Sequence, residues 1–496
     1  MKKNLLKSIT EEAEKSAEKF QLYHNYLQIG YERKKKRLTK VPPKVLFTPD
    51  EWDVDKKHNP FYVLKHKEKL ASVISKKILS GTYIPEQPFR KDIPKKSGGT
   101  RPISIYQLPD SAVSDKFYHD LLKKNKHRLS TFAYAYRNDK NIHFAIQDIA
   151  NELTQSPRIF IAEFDFSNFF GSIGHDFIRK QFKENCFLIS PTEEYVIDSF
   201  LQTNITKDIG IPLGTSISLF LANLVCWRLD RKLEDEGLRF ARYADDTIIW
   251  TKDYSKICKA FEIINDFSNT TGILINYEKS DGISLLQKKG MKSEFGKYKD
   301  KIEFLGYRIS VTNIGIRKSS VANIKKQISH LLYKNLIVPY KGPALTAARF
   351  PVPFKDEDFL TTISEIRRFL YGNLSELTLK KYLNGTYVKL NFKGIMSFYP
   401  LITDEEQMTQ LDRWLVSTIL NTLRKRKKLL TLFGYPASFY PFDLDADQLI
   451  SISKKKFNGL YRIPSFLRIY KAIQKGVRDF GIEKVMHAES KYYDGW

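Results

Sequence analysis

The period of the apolar positions changes twice along the chain, and each change marks a different kind of structure. Over residues 1 to about 80, apolar residues recur at helical spacing among many cations. Ser8 and Glu11 read there as a capping box, and "YERKKKRLTKVPPK" gives a positive run that ends at Pro42 and Pro43. From Pro88 to Ser310, short strand-like runs alternate with amphipathic helical segments, the mixture expected of an α+β domain. In "RIFIAEFDF" the alternation puts Ile159, Ile161, Glu163 and Asp165 on one face, and "RYADDTIIW" reads as two strands around a tight acidic turn. Beyond about residue 311 strand signals fade. "SSVANIKKQISHLLYKNL" is amphipathic, "KGPALTAARFPVPF" breaks the chain with three prolines, and "LDRWLVSTILNTLRKRKK" places Leu411, Trp414, Leu415, Thr418 and Leu423 near one helix face. The pattern therefore divides the chain into a basic helical extension (1–80), an α+β domain (81–310) and a helical C-terminal domain (311–496).

Composition narrows the class of partner. A chain of 496 residues with 42% hydrophobic and 13% aromatic residues has enough material for two or three folded domains. Lys and Arg number 82 against 56 acidic residues, a formal charge of +26 that calls for a polyanion, nucleic acid first. An anionic membrane is the competitor, but there is no run of about 18 apolar residues and no basic amphipathic helix set apart as an anchor. "MKKNLLKSITEEAEKSAEKF" has no apolar stretch of the kind a signal peptide needs. Cys186, Cys226 and Cys258 lack metal-ligand spacing, so neither disulfides nor zinc is expected, and a reducing cytoplasm is. The cationic run Arg424 to Lys428 fits a helix C-terminus and a phosphate contact equally well.

Candidate chemistry rests on carboxylates. Joining a nucleotide to a 3′-hydroxyl is served by two divalent ions about 3.5 to 4 Å apart, and magnesium takes a few rigid carboxylates, with water and phosphate oxygens completing its shell. Asp165 at the end of one alternating strand, with Asp245 and Asp246 in a hairpin, supplies such a set. Taken alone, two adjacent aspartates fit a turn for local hydrogen-bonding reasons just as well.

The neighbours of these residues carry more information. "IPKKSGGTRPISI", "EFDFSNFFGSI", "GIPLGTSISLFLANL", "RYADDTIIW", "GILINYEKSD" and "IEFLGYRIS" follow one another over roughly residues 88 to 310. In this order they resemble the motifs of prokaryotic reverse transcriptases of the group II intron and retron type. The resemblance implies a right-hand polymerase core of fingers and palm between the basic extension and the helical domain. It implies that Asp165 and Asp245 hold two Mg²⁺ ions, with the carbonyl of Phe166 as a supplementary ligand and Asp246 as the third catalytic carboxylate. Lys95 or Lys96 and Arg101 match the fingers residues that grip the triphosphate, and Phe170 matches the aromatic position under the sugar, where bulk disfavours a 2′-hydroxyl. Pro212, Leu213 and Gly214 match the segment that approaches the nucleotide. Many relatives carry glutamine where this chain has Leu213, which removes a polar contact there. Lys279 matches a lysine able to protonate the departing pyrophosphate. Phe304, Leu305, Gly306 and Tyr307 resemble the primer grip, although the same residues read equally as core.

A large helical extension, without a zinc cluster or a nuclease acidic set, is similar to the defence-associated reverse transcriptases, the abortive-infection and unknown groups. That likeness implies antiphage action in the bacterial cytoplasm, a structured noncoding RNA, deoxynucleotide substrates, a DNA product and homo-oligomers. It also brings in template-independent synthesis and priming from a protein hydroxyl, for which Tyr492 and Tyr493 in "KYYDGW" are candidates. A nucleic-acid-binding scaffold with a vestigial site and a maturase-like RNA-binding protein stay open as alternatives.

Overall fold

The computed structural model describes residues 1–37, 41–94, 98–153, 156–204, 206–341, 351, 356–439, 441–449 and 463–486. They form two compact units. The first comprises 1–29, 44–145 and 156–299, and the second 30–43, 146–155 and 300–496.

The first unit is built on a five-stranded sheet. Its strands are β3 (Arg158–Phe164), β4 (Arg239–Tyr243), β5 (Asp246–Thr251), β6 (Gly282–Gln287) and β7 (Tyr298–Lys299), in the order β4-β5-β3-β6-β7. All neighbours are antiparallel except β6 and β7. A separate hairpin pairs β1 (Phe89–Pro94) with β2 (Thr100–Ile105). The alternation read from β3 holds, because Ala162 and Phe164 join Phe240 and Ile249 in one apolar core while Ile159 and Ile161 belong to the opposite face. The helices α3 (Pro60–Leu79), α4 (Leu108–Asn125), α9 (Ser216–Asp235) and α10 (Tyr254–Thr271) contribute to that core.

Helix α1 (Lys2–Arg37) begins at Lys2, so Ser8 is inside it, with its hydroxyl bonded back to the Asn4 carbonyl. The expected capping box at Ser8 is therefore absent. Leu5, Ile9 and Ala13 of this helix are buried in the core of the first unit, so part of the basic extension is structural.

In the second unit, β8 (Ile302–Phe304), β9 (Tyr307–Ile309) and β10 (Ile314–Ile316) form a small antiparallel sheet, so strands persist slightly past residue 311. Helices follow, among them α11 (Lys318–Leu332), α12 (Glu357–Tyr371), α13 (Glu376–Leu383) and α14 (Glu405–Leu432). Helix α14 runs past the cationic stretch, and Arg426 turns inward. It bonds Asp356 at 2.7 and 3.0 Å, Asp358 at 3.2 Å and the carbonyl of Leu336 at 2.9 Å. Leu336 lies in a π-helical turn, 333–337, of the kind that leaves a backbone carbonyl open to a side chain. Arg426 is thus a core residue, while Arg424, Lys425 and Lys428 stay exposed.

Candidate active site

Strand register brings the aspartates together. Phe164 pairs with Thr247, so the next step puts Asp165 level with Asp246 on the same face of the sheet. On the other side of β5, Tyr243 pairs with Asp246, leaving Ala244 and Asp245 as a two-residue turn. Ala244 has φ +59°, a conformation that costs a residue with a Cβ and needs support from its surroundings.

That support is a buried ion pair absent from the sequence reading. Arg242 is fully buried and bonds both oxygens of Asp230 on α9, at 2.7 and 2.6 Å. It also donates to the carbonyl of Ala244 at 3.2 Å and to Asn223 Oδ1 at 3.2 Å. Asn223 in turn donates to the carbonyl of Ala135 at 3.0 Å. Burial pushes the Asp230 carboxyl up and the guanidinium facing it pulls it down. With both oxygens accepting, the carboxylate is the form that fits. One signal was available in the sequence: an arginine and an aspartate at inward positions of apolar elements need partners.

Asp165 is buried and accepts bonds from two sources on the loop after α10: Asn276 Nδ2 at 3.1 Å and Lys279 Nζ at 2.9 Å, both to Oδ2. The backbone of the same loop follows β3 outward, with Asn276 N–H donating to the Asp165 carbonyl at 2.8 Å and Ser167 N–H to that of Leu274 at 2.8 Å. Neither bond uses the carbonyl of Phe166. Next to this loop, Lys299 bonds Glu163 at 2.5 Å and also Asp281, which Lys297 holds at 2.8 Å. Burial raises the Asp245 carboxyl, Asp165 raises it further, and Arg101 and Lys279 oppose the rise. The hydrogen bond that Lys279 donates to Asp165 raises its ammonium. Two carboxylates that repel one another across a shared space, one of them already drawing a cation, suit magnesium. Among the described residues no group of three His, Cys, Asp or Glu side chains closes around a point. An ion that fills its shell with water and phosphate oxygens needs no such group.

The remaining candidates fall in several places. Arg101 lies exposed on β2, opposite Ile93, in the hairpin whose loop contains Gly98 and Gly99; Lys95 and Lys96 lie outside the described residues. Phe170 follows Asn168, which has φ +47°, and its carbonyl accepts from Ile211 N–H at 2.7 Å. Its ring meets Phe169 and Tyr136 edge-on, with centroids at 5.4 and 6.5 Å. Tyr136, a second residue the sequence reading missed, has φ +58° and a hydroxyl pushed up to about 12 by burial and then by Asp245. It thus neighbours Phe170 and feels the charge of Asp245.

Leu213 and Pro212 engage through backbone: Ser104 N–H donates to the Leu213 carbonyl at 2.9 Å, and Ser218 Oγ to that of Pro212 at 2.7 Å. Gly214 has φ +113°, and a Cβ there would stand 2.0 Å from the Ser104 carbonyl. The close approach this glycine permits is thus to β2. Phe304 and Tyr307 flank a two-residue turn, with Leu305 and Gly306 both at positive φ. They belong to the second unit, where Tyr307 is buried and donates to the Phe398 carbonyl at 3.2 Å. Tyr492 and Tyr493 lie outside the described residues.

Comparison with known proteins agrees with this geometry. The family described as reverse transcriptase (RNA-dependent DNA polymerase) matches residues 93–309, which include all three aspartates. Protein YkfC of Escherichia coli strain K12 is 24% identical over 184 residues, 34% of this chain and 46% of that protein. Retron Ec73 reverse transcriptase of Escherichia coli is 30% identical over 182 residues, 34% of this chain and 54% of that protein. The chain thus spans about half the length of these curated relatives. A telomerase from Candida tropicalis, solved with a TWJ fragment of telomeric RNA, covers 86% of this chain and 64% of its own at 15% identity, with a TM-score of 0.37, too low to carry an argument. By its motifs, their order and these matches, the region 93–309 is similar to reverse transcriptases, prokaryotic ones among them.

Proposed function

We propose that the chain is an RNA-directed DNA polymerase, a nucleotidyltransferase that extends a 3′-hydroxyl with deoxynucleotides in bacterial antiphage defence. A structured noncoding RNA serves as its template or scaffold. The observation that carries the reading is the convergence of Asp165 with the Asp245–Asp246 turn at one end of the palm sheet. Asp165 and Asp245, with the carbonyl of Phe166, would hold two Mg²⁺ ions, whose charge would serve to activate the attacking hydroxyl and stabilise the leaving oxygen. Asp246 adds negative charge beside them. Arg101, with Lys95 and Lys96, grips the triphosphate, and Phe170, backed by Tyr136, closes the space a 2′-hydroxyl would need. Lys279, held protonated by Asp165, gives its proton to the pyrophosphate as it leaves; its contact with Asp165 supports this role.

The flanking parts, 1–80 and 311–496, are assigned to RNA binding and to assembly of a homo-oligomer, in keeping with a charge of +26. Among the described residues no helix is long and apolar enough to cross a membrane, and the bacterial cytoplasm is the proposed location. The test is to purify the protein with its co-bound nucleic acid and supply each labelled deoxynucleotide singly with Mg²⁺. The product is then treated with ribonuclease or protease. Label in a ribonuclease-resistant product is expected. Incorporation of a single nucleotide kind alone would shift the reading to template-independent synthesis, and label that leaves the protein band only after protease would indicate a protein primer. Failure to incorporate any deoxynucleotide would sink the proposal and favour a scaffold.

A further inference from the structure

The palm sheet has two ends, and the carboxylates occupy one. At the other, β3 begins at Arg158 and β5 finishes at Thr251, followed by Lys252. Seven strand residues separate this end from Asp165, roughly 23 Å at about 3.3 Å per residue. A cavity of about 400 Å³ opens there, lined by Arg158, Phe160, Lys252, Leu285, Glu294 and Phe295, among others. Phe160, Tyr254 and Phe295 form a triangle of rings, with centroids 5.3, 5.6 and 5.8 Å apart. Phe160 and Phe295 are only partly buried, and Tyr254 is exposed.

Two cations line this aromatic floor, and others follow nearby in the chain. Arg158 and Lys252 are exposed, and Lys288, whose N–H donates to the Pro157 carbonyl at 3.2 Å, lies beside Arg158 with Lys289 and Lys292 following. The carboxylate at the rim, Glu294, is almost fully solvated and 3.8 Å from Arg158, a pairing too weak to hold the guanidinium against a phosphate. Partly open aromatic faces flanked by cations match one ligand chemistry: a base that stacks and a phosphate that pairs.

We propose that this cleft is an accessory nucleotide-binding site, separate from the polymerase centre, taking either an unpaired nucleotide of a bound RNA or a free nucleotide. It rests on the reading that the chain works on nucleic acid. An RNA anchored there would be held through the palm itself while its 3′ or template segment stays free to reach the aspartates.

The full-length protein is irradiated with a ten-nucleotide oligoribonucleotide carrying one 4-thiouridine, and crosslinked peptides are mapped by mass spectrometry. A crosslink to the peptide containing Tyr254 or Phe295 is expected. Its yield should fall about tenfold in Lys252→Glu and Arg158→Glu, both exposed substitutions, while extension of a short supplied primer–template is unchanged. Loss of the crosslink with millimolar UTP identifies a free-nucleotide site; persistence identifies an RNA subsite. Crosslinks found only elsewhere, or yields unaltered in both variants, overturn the inference. Because crosslinking needs no catalysis, its failure is distinct from failure of the polymerase reading, which is judged by incorporation.

Discussion

The Arg242–Asp230 pair offers a test in which stability and activity separate. Removing only the arginine, as in Arg242→Met, leaves a fully buried carboxylate without its cation, a loss of about 3 to 5 kcal/mol. Replacing both, Arg242→Met with Asp230→Leu, removes the stranded charge. Apolar replacements of buried pairs are often neutral or stabilising by about 1 to 4 kcal/mol, so much of the melting temperature should return. The double variant still lacks the donor to the Ala244 carbonyl, a charge-assisted bond worth about 1.5 to 3 kcal/mol, and the positive-φ turn relaxes. A displacement of about 1 Å at the metal ligands costs on the order of 100-fold in rate. Thermal melting and single-nucleotide incorporation over a Mg²⁺ titration should therefore show a folded double variant with a rate down about 100-fold and a higher Mg²⁺ requirement. A double variant that regains both wild-type melting and wild-type rate would refute the strut, leaving Arg242 a stability residue only.

Other outcomes follow from the same geometry. Phe170→Ala should raise ribonucleotide incorporation relative to deoxynucleotide by about tenfold or more, read by single-turnover competition; an unchanged ratio removes its gating role. Lys279→Gln should lower kcat by about 100-fold with oligonucleotide binding unaltered, whereas a pure affinity effect would argue against proton donation. Asp110 is buried, accepts from the Tyr83 hydroxyl at 2.7 Å and Glu86 N–H at 3.1 Å, and its carboxyl is pushed up to about 6 by burial. Its folded form keeps the proton longer than the unfolded chain, so its contribution is intact below about pH 4 and declines through pH 6. The decline amounts to about 3 kcal/mol. Asp110→Asn should remove that slope from chemical denaturation curves at pH 4 to 8, whatever its own offset; an unchanged slope would contradict the assignment.

Local rules of strand and turn made much of the palm legible. Alternation in β3 and the tight acidic turn could be read because a one-residue slip would swap the faces of that strand, taking Ala162 and Phe164 out of the core they share with Phe240 and Ile249. What escaped depended on contacts distant in sequence. Arg242 and Asp230 find each other across the end of a strand and the interior of a helix, and nothing in their own neighbours says so. Arg426 looked like one of five surface cations until Asp356, 70 positions away, turned it inward. The capping pattern at Ser8 was real as a pattern, yet α1 had already begun at Lys2 and the hydroxyl found an i−4 carbonyl. Tyr136 is set beside Phe170 by a left-handed backbone in a segment with no strong periodicity.

The central claim is that Asp165 and Asp245 together hold the metal ions for nucleotide addition. Its most direct test is incorporation of labelled deoxynucleotides by Asp245→Asn in Mg²⁺, with the wild type and Asp165→Asn alongside and equal loading of co-purified nucleic acid. Asp245→Asn should keep the wild-type melting temperature or gain slightly, since it relieves repulsion between carboxylates, whereas Asp165→Asn also gives up the pairing with Lys279; both should lose at least about 1,000-fold in rate. An Asp245→Asn protein that incorporates at the wild-type rate would contradict the account.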